Sequence, residues 1–151
     1  MPTKPTIFHD GSSGARLSRS EFLSRLSAFR GDVVLFGENH SDPAGHEVEL
    51  EVLRALHGGT ATADRGLALS LEFFDREAQT VMDEYVGGHL GLEGFLRDSR
   101  PPGNVRAYLP LIDYCRESGV GVVAANCPRR YTRMVSWSFF FSFFATYQLC
   151  K

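Results

Sequence analysis

At 151 residues, 43% hydrophobic and 23% charged, the chain has the length and composition for one globular domain with a buried core. A formal net charge of -2 gives no electrostatic basis for nucleic acid or an anionic membrane as partner. Three cysteines, Cys115, Cys127 and Cys150, lie outside any CxxC spacing, which argues against a disulfide framework and a zinc ribbon and fits a reducing compartment.

The N-terminus, Met1-Pro2-Thr3-Lys4-Pro5, lacks the apolar core of a secretory signal. No stretch reaches the roughly 20 apolar residues of a membrane-spanning helix, so no compartment is assigned and no span is expected. Thr6-Ile7-Phe8 reads as a short strand, and Asp10-Gly11-Ser12-Ser13-Gly14 as a turn. Ser18-Arg19-Ser20-Glu21 has capping-box spacing and opens a helix to about Phe29, with Phe22, Leu23, Leu26 and Phe29 on one face. Val33-Val34-Leu35-Phe36 reads as a buried strand. Asp42-Pro43 then starts a helix whose apolar face is Val48, Val52, Leu53 and Leu56, stopped at His57-Gly58-Gly59.

Leu67 to Phe73 is a second strand. Asp75 caps a helix with inner face Ala78, Val81, Met82, Tyr85 and Val86. Leu92 to Leu96 is a shorter helical segment, and Arg100-Pro101-Pro102-Gly103 a rigid loop. Tyr108, Leu111, Ile112 and Cys115 mark a further helix, and Val120 to Ala125 a third strand broken by Asn126-Cys127-Pro128. Apolar strands alternating with helices predict an α/β fold: three layers, α/β/α, on a mainly parallel sheet.

The three strands lead into Glu38-Asn39-His40, into Glu72-Phe73-Phe74-Asp75 and into Asn126-Cys127-Pro128-Arg129. In a parallel sheet these endings share the edge where ligands bind. Glu38 and His40 fall on one side of an extended segment, so His40 is a candidate general base with Glu38 or Glu72 as its carboxylate partner. Glu38 and His40 with Glu72 or His46 also make a nitrogen-and-oxygen metal site, of unassigned metal. Plainer readings stand beside these: a polar turn with a surface His40, His46 as a solvated helix residue beside Glu47 and Glu49, and Cys127 as a half-buried thiol. Arg129, Arg130 and Arg133 cluster with Tyr131, which reads as an exposed basic helix face or as a site where a tyrosine meets ferric iron and arginines meet acidic ligand groups.

Taken in order, these segments resemble the haem-binding ChaN-like family, in the superfamily of Tiki proteins and erythromycin esterases. The resemblance rests on Val33 to His40, His46, Leu69 to Asp75, Gln79, Tyr85, Tyr108 to Leu111 and Val123 to Arg129, spanning about Ile7 to Val135. It implies an α/β/α fold, haem or iron as ligand, and a homodimer. His46, Asn126, Arg129 and Tyr131 are then candidate cofactor-binding residues; the family's iron-ligating tyrosine has no matching position here. The related hydrolases imply a second activity, a Glu/His-dependent hydrolase with Glu38, His40 and Glu72 as catalytic residues. The Phe-rich segment 136–151 departs from the family pattern. It is expected to be a non-family tail on a truncated domain 1–135, with an inactive truncated isoform as a further alternative if the missing part supplies sheet strands or ligand contacts.

Overall fold

The computed structural model describes residues 6–59, 62, 65–101, 103–128 and 130–134. Arg129 and the Phe-rich tail lie outside them. The described part is mixed α/β, with a short antiparallel hairpin, a two-stranded parallel sheet and several α-helices. No helix among the described residues is long and apolar enough to cross a membrane.

The chain divides into two compact units, each built from two stretches of sequence. The first holds residues 1–69 and 104–121. Strands β1 (Phe8–His9) and β2 (Arg16–Leu17) pair antiparallel, with Phe8 opposite Leu17. Between them, Asp10 Oδ1 accepts from the amides of Ser12 and Ser13, both at 3.0 Å, which fixes the predicted turn. Helix α1 (Arg19–Ser27) begins at the predicted capping box. The Ser18 hydroxyl accepts from the Glu21 amide at 3.2 Å and the Glu21 carboxylate accepts from the Ser18 amide at 2.8 Å. Helix α2 (Pro43–His57) starts on Asp42, whose side chain accepts from the Ala44 amide at 3.1 Å, with Pro43 in the first turn.

Helix α2 contacts both α1 and α5 (Leu109–Ser118). Val48, Val52 and Leu53 are buried on its inner face, and Leu111, Ile112 and Cys115 on that of α5. His57 at the end of α2 bonds the Tyr114 hydroxyl through Nδ1 at 2.8 Å. Where α1 and α2 finish, a Cβ on Gly59 would stand 2.5 Å from the Ser27 carbonyl oxygen, so this close backbone approach requires glycine. Gly119 closes α5 with φ +70, the left-handed conformation expected after a helix end.

The second unit holds residues 70–103 and 122–151. Most of β3 (Ala68–Asp75) and β4 (Gly121–Asn126) lies here, with α3 (Gln79–Val86) and α4 (Leu92–Asp98). Phe74, Met82 and Phe95 are fully buried; Phe95 stacks on Tyr85 with ring centroids 4.4 Å apart, and Phe74 lies 5.8 Å from Phe95. The Gln79 amide clasps β4, donating to the Val122 carbonyl and accepting from the Ala124 amide, both at 2.8 Å.

Three local expectations are corrected. Residues 33–39 form no strand among the described residues, and Leu35 is 92% exposed. An apolar run becomes a strand only when a neighbour pairs its N–H and C=O groups, and no described strand does so here. Strand β3 runs on to Asp75, which places Glu72 inside the strand rather than at its end. Cys127 is exposed rather than half-buried, because it follows the last residue of β4.

Candidate functional site

The first unit buries a polar cluster. Glu38 lies in the extended segment before α2, and its neighbour Asn39 makes the predicted turn: its carbonyl accepts from the Asp42 amide at 2.8 Å and its side chain from the Ser41 amide at 3.3 Å. His46 and Glu49 are three apart in the first two turns of α2 and therefore share a face. Tyr108, between a 3-10 turn (Val105–Ala107) and α5, is buried and sends its hydroxyl into the same place.

Glu38 Oε1 accepts hydrogen bonds from the Tyr108 hydroxyl and from His40 Nδ1, and His40 Nδ1 also lies 3.1 Å from the Tyr108 oxygen. His46 Nδ1 faces two carboxylates, Glu49 Oε2 at 3.0 Å and Glu38 Oε2 at 3.3 Å. Its other nitrogen, Nε2, is 3.2 Å from the His40 carbonyl oxygen. The edge of the His46 ring meets the Tyr108 ring at 4.8 Å and 70°. The side chains of Glu38, His46 and Glu49 keep only 14%, 9% and 11% of their exposure, whereas the His40 side chain keeps 65%.

This crowding sets the charge states. Burial pushes the Glu38 carboxyl up, but the hydrogen bonds from Tyr108 and His40 outweigh it and hold Glu38 below the usual range, so it is the ionised member. Burial disfavours the His46 cation, yet Glu49, the His40 carbonyl and the Glu38 charge together hold the imidazole above its ordinary value. Burial raises Glu49, and the neighbouring Glu38 adds to it. One proton-rich imidazole thus sits against two carboxylates that cannot both ionise freely.

The remaining sequence candidates lie in the second unit or outside the described residues. Glu72 is exposed on β3, and Asn126 is the half-buried last residue of β4. Tyr131 is half-exposed, with the Arg130 guanidinium over its ring at 4.7 Å, and Arg130 also pairs with Glu77. Arg129 is outside the description. His46 is buried rather than a solvated helix residue. Glu49 and Tyr108 belong to the cluster although sequence reasoning did not single them out. Glu49 left a signal: with His46 it puts a polar pair on the stripe that continues into Val52 and Leu53. Tyr108 left only its place in the family-like segment Tyr108 to Leu111, since it lies 70 residues from Glu38.

A family model described as haem-binding uptake, Tiki superfamily, ChaN, matches residues 26–139, more than half of the chain. Protein RETICULATA-RELATED 5, chloroplastic, of Arabidopsis thaliana is 30% identical over 108 residues, covering 68% of this chain and 15% of that protein. The chain therefore spans a small part of that curated relative's length. No solved structure matches it significantly. By the family match, the chain belongs to the haem-binding uptake family of the Tiki superfamily, and the whole of the polar cluster falls inside the matched residues.

Proposed function

From that membership, we propose that the chain is a haem- or iron-associated binding protein whose small ligand is held at the cluster of Glu38, His40 and Tyr108. The observation that carries this reading is the anchored but open ring of His40. Its Nδ1 is held by Glu38 while the side chain stays largely exposed, leaving Nε2 as the nitrogen that can meet a ligand from solution. A histidine that binds haem iron through one nitrogen is commonly oriented by an acceptor at the other, which fits this arrangement. The exposed Val33, Leu35 and Phe36 immediately precede the cluster and supply apolar surface of the kind a porphyrin face requires.

When bound, haem would supply a redox-active iron. This chain's part is to orient His40 through Glu38 and Tyr108 and to present apolar surface beside it. Asn126, Arg129 and Tyr131, in the second unit, remain proposed cofactor-binding residues by themselves, and a homodimer the proposed assembly. A hemin titration tests the reading: a Soret shift saturating near one haem per chain is expected, and its loss in His40→Ala. No shift with the folded wild type overturns it.

One observation favours a second reading, a hydrolase of the superfamily's other type. Glu38 against His40 Nδ1 is the pairing in which a carboxylate orients a general base. Glu38 and His40 would then be catalytic. Turnover of an ester or peptide panel, abolished by His40→Ala, is its expected signature; turnover that survives the substitution sinks it.

A further inference from the structure

The polar atoms around His46 balance only when a proton or another cation lies among them. The His40 carbonyl can only accept, so His46 Nε2 must carry a hydrogen to satisfy the 3.2 Å contact. In a neutral ring this leaves Nδ1 as a bare lone pair. That lone pair faces Glu49 Oε2 at 3.0 Å and Glu38 Oε2 at 3.3 Å, both of which are acceptors as well when ionised. Three electron-rich atoms pointing at one another in a buried place repel unless a cation lies among them.

Glu38 Oε2 sharpens the point. It is fully buried and faces only His46 Nδ1 and the Glu49 carboxyl, whereas Oε1 of the same carboxylate is satisfied by Tyr108 and His40. A buried carboxylate oxygen set against a second carboxyl and an imidazole is costly unless a proton or a metal ion is shared among them. The donor atoms of Glu38, His46 and Glu49 all lie within 4.8 Å of one another. A single proton on His46 Nδ1 leaves the trio with one net negative charge in low dielectric. A divalent cation in its place brings the trio to neutrality.

We propose that Glu38, His46 and Glu49 form a binding site for one divalent first-row transition-metal ion, with His46 Nδ1 as nitrogen ligand and Glu38 Oε2 and Glu49 as oxygen ligands. The proposal rests on the iron-associated reading of the same cluster and names the atoms that would hold an ion there. Imidazole with two carboxylates suits iron(II), manganese(II) or zinc(II), and the nitrogen ligand disfavours calcium and magnesium. The His46 Nε2 bond to the His40 carbonyl is the outer contact that orients a metal-binding imidazole and fixes its tautomer. Tyr108 has the matching role toward Glu38, occupying Oε1 so that Oε2 faces the centre. Tyr108 is a positioning residue here.

The test is equilibrium dialysis of the full chain against iron(II) under anaerobic conditions, then zinc(II) and calcium. About one iron or zinc ion per chain is expected, with calcium at least about 100-fold weaker. Glu49→Gln should weaken binding by at least about 100-fold, since losing a ligand exceeds the 10–100-fold cost of losing an outer contact. Glu47→Gln, on the exposed side of α2, should leave it unchanged. Imidazole nitrogen resonances of the wild type give a readout that needs no variant: metal should move His46 Nδ1 and leave Nε2 protonated. No stoichiometric uptake, an unmoved Nδ1, or uptake by folded Glu49→Gln equal to wild type each overturns the site. Hemin titrated into the same preparation separates the two proposals. A Soret shift without metal uptake removes this site and keeps the haem reading; metal uptake without a Soret shift does the reverse.

Discussion

Around Phe95, the second unit fills its interior with stacked rings and a methionine that require little beyond exclusion from water. Around His46, the first unit buries an imidazole, two carboxylates and a phenol hydroxyl. Apolar burial stabilises by roughly 1.5–3 kcal/mol per large side chain. Burying charges at close quarters gives little net stability, even when they are paired. The difference separates an interior that holds a fold together from one that persists against its own energetics: the aromatic interior is scaffold, and the polar one is the proposed site.

Substitutions in each interior break or sharpen that contrast. The largest effect is expected from Phe95→Ala, which should lower the unfolding free energy by about 3–5 kcal/mol through lost burial and the cavity left between Tyr85 and Phe74. Urea unfolding followed by circular dichroism measures it; a loss below about 1 kcal/mol would mean the aromatic stack is not this unit's core. Tyr108→Phe keeps the ring and deletes the donor to a charged carboxylate, for an expected loss of about 1.5–3 kcal/mol in the same assay. Glu49→Gln should move the other way, stabilising by about 0.5–2 kcal/mol at neutral pH because it removes one of two crowded carboxylates. A destabilised Glu49→Gln would put the polar cluster on the scaffold side of the comparison.

The smallest test is pH dependence, and its sign follows from the three shifts. Glu38 is depressed in the folded chain, so its contribution is present above its unfolded value and lost as pH falls through the folded one. His46 is raised, so its contribution is complete below its unfolded value and lost as pH rises through the folded one. Glu49 is also raised. Its penalty accrues as pH rises from its unfolded value to its folded one, in the same direction as His46. Stability limited by this cluster should therefore peak in the mildly acidic range and decline on both sides, and Glu49→Gln should flatten the decline toward higher pH. Urea midpoints in a pH series check this.

Much of the scaffold is legible in the sequence, because its signals are local. The Ser18–Glu21 box, Asp42-Pro43 and the apolar spacing of Val48, Val52 and Leu53 each depend on neighbours within a few turns, and α1 and α2 start where those residues direct. Strand β4 and its Gly119 lead-in are read for the same reason. Val33 to Phe36 are misread because an apolar run specifies that it can be buried, not which strand will pair with it. The site is legible in part. Glu38, His40 and His46 stand out by type and spacing; Glu49 is hidden by its acidic neighbours in α2; Tyr108 is separated from its carboxylate by a distance in sequence that no periodicity bridges.

That separation bears on the order of assembly. His46 and Glu49 are three positions apart and are brought together by α2 itself, whereas Glu38 and Tyr108 are 70 apart. Closing the longer loop costs about 3 kcal/mol more in chain entropy than closing a three-residue one. At a synthesis rate of about 5–20 residues per second, Tyr108 leaves the ribosome several seconds after Glu49. A nascent chain therefore carries its imidazole and second carboxylate before it has the phenol that fixes the first. Ligand capture in that interval would fall to an unfinished site, so uptake by the finished one reports that the chain has folded past Tyr108.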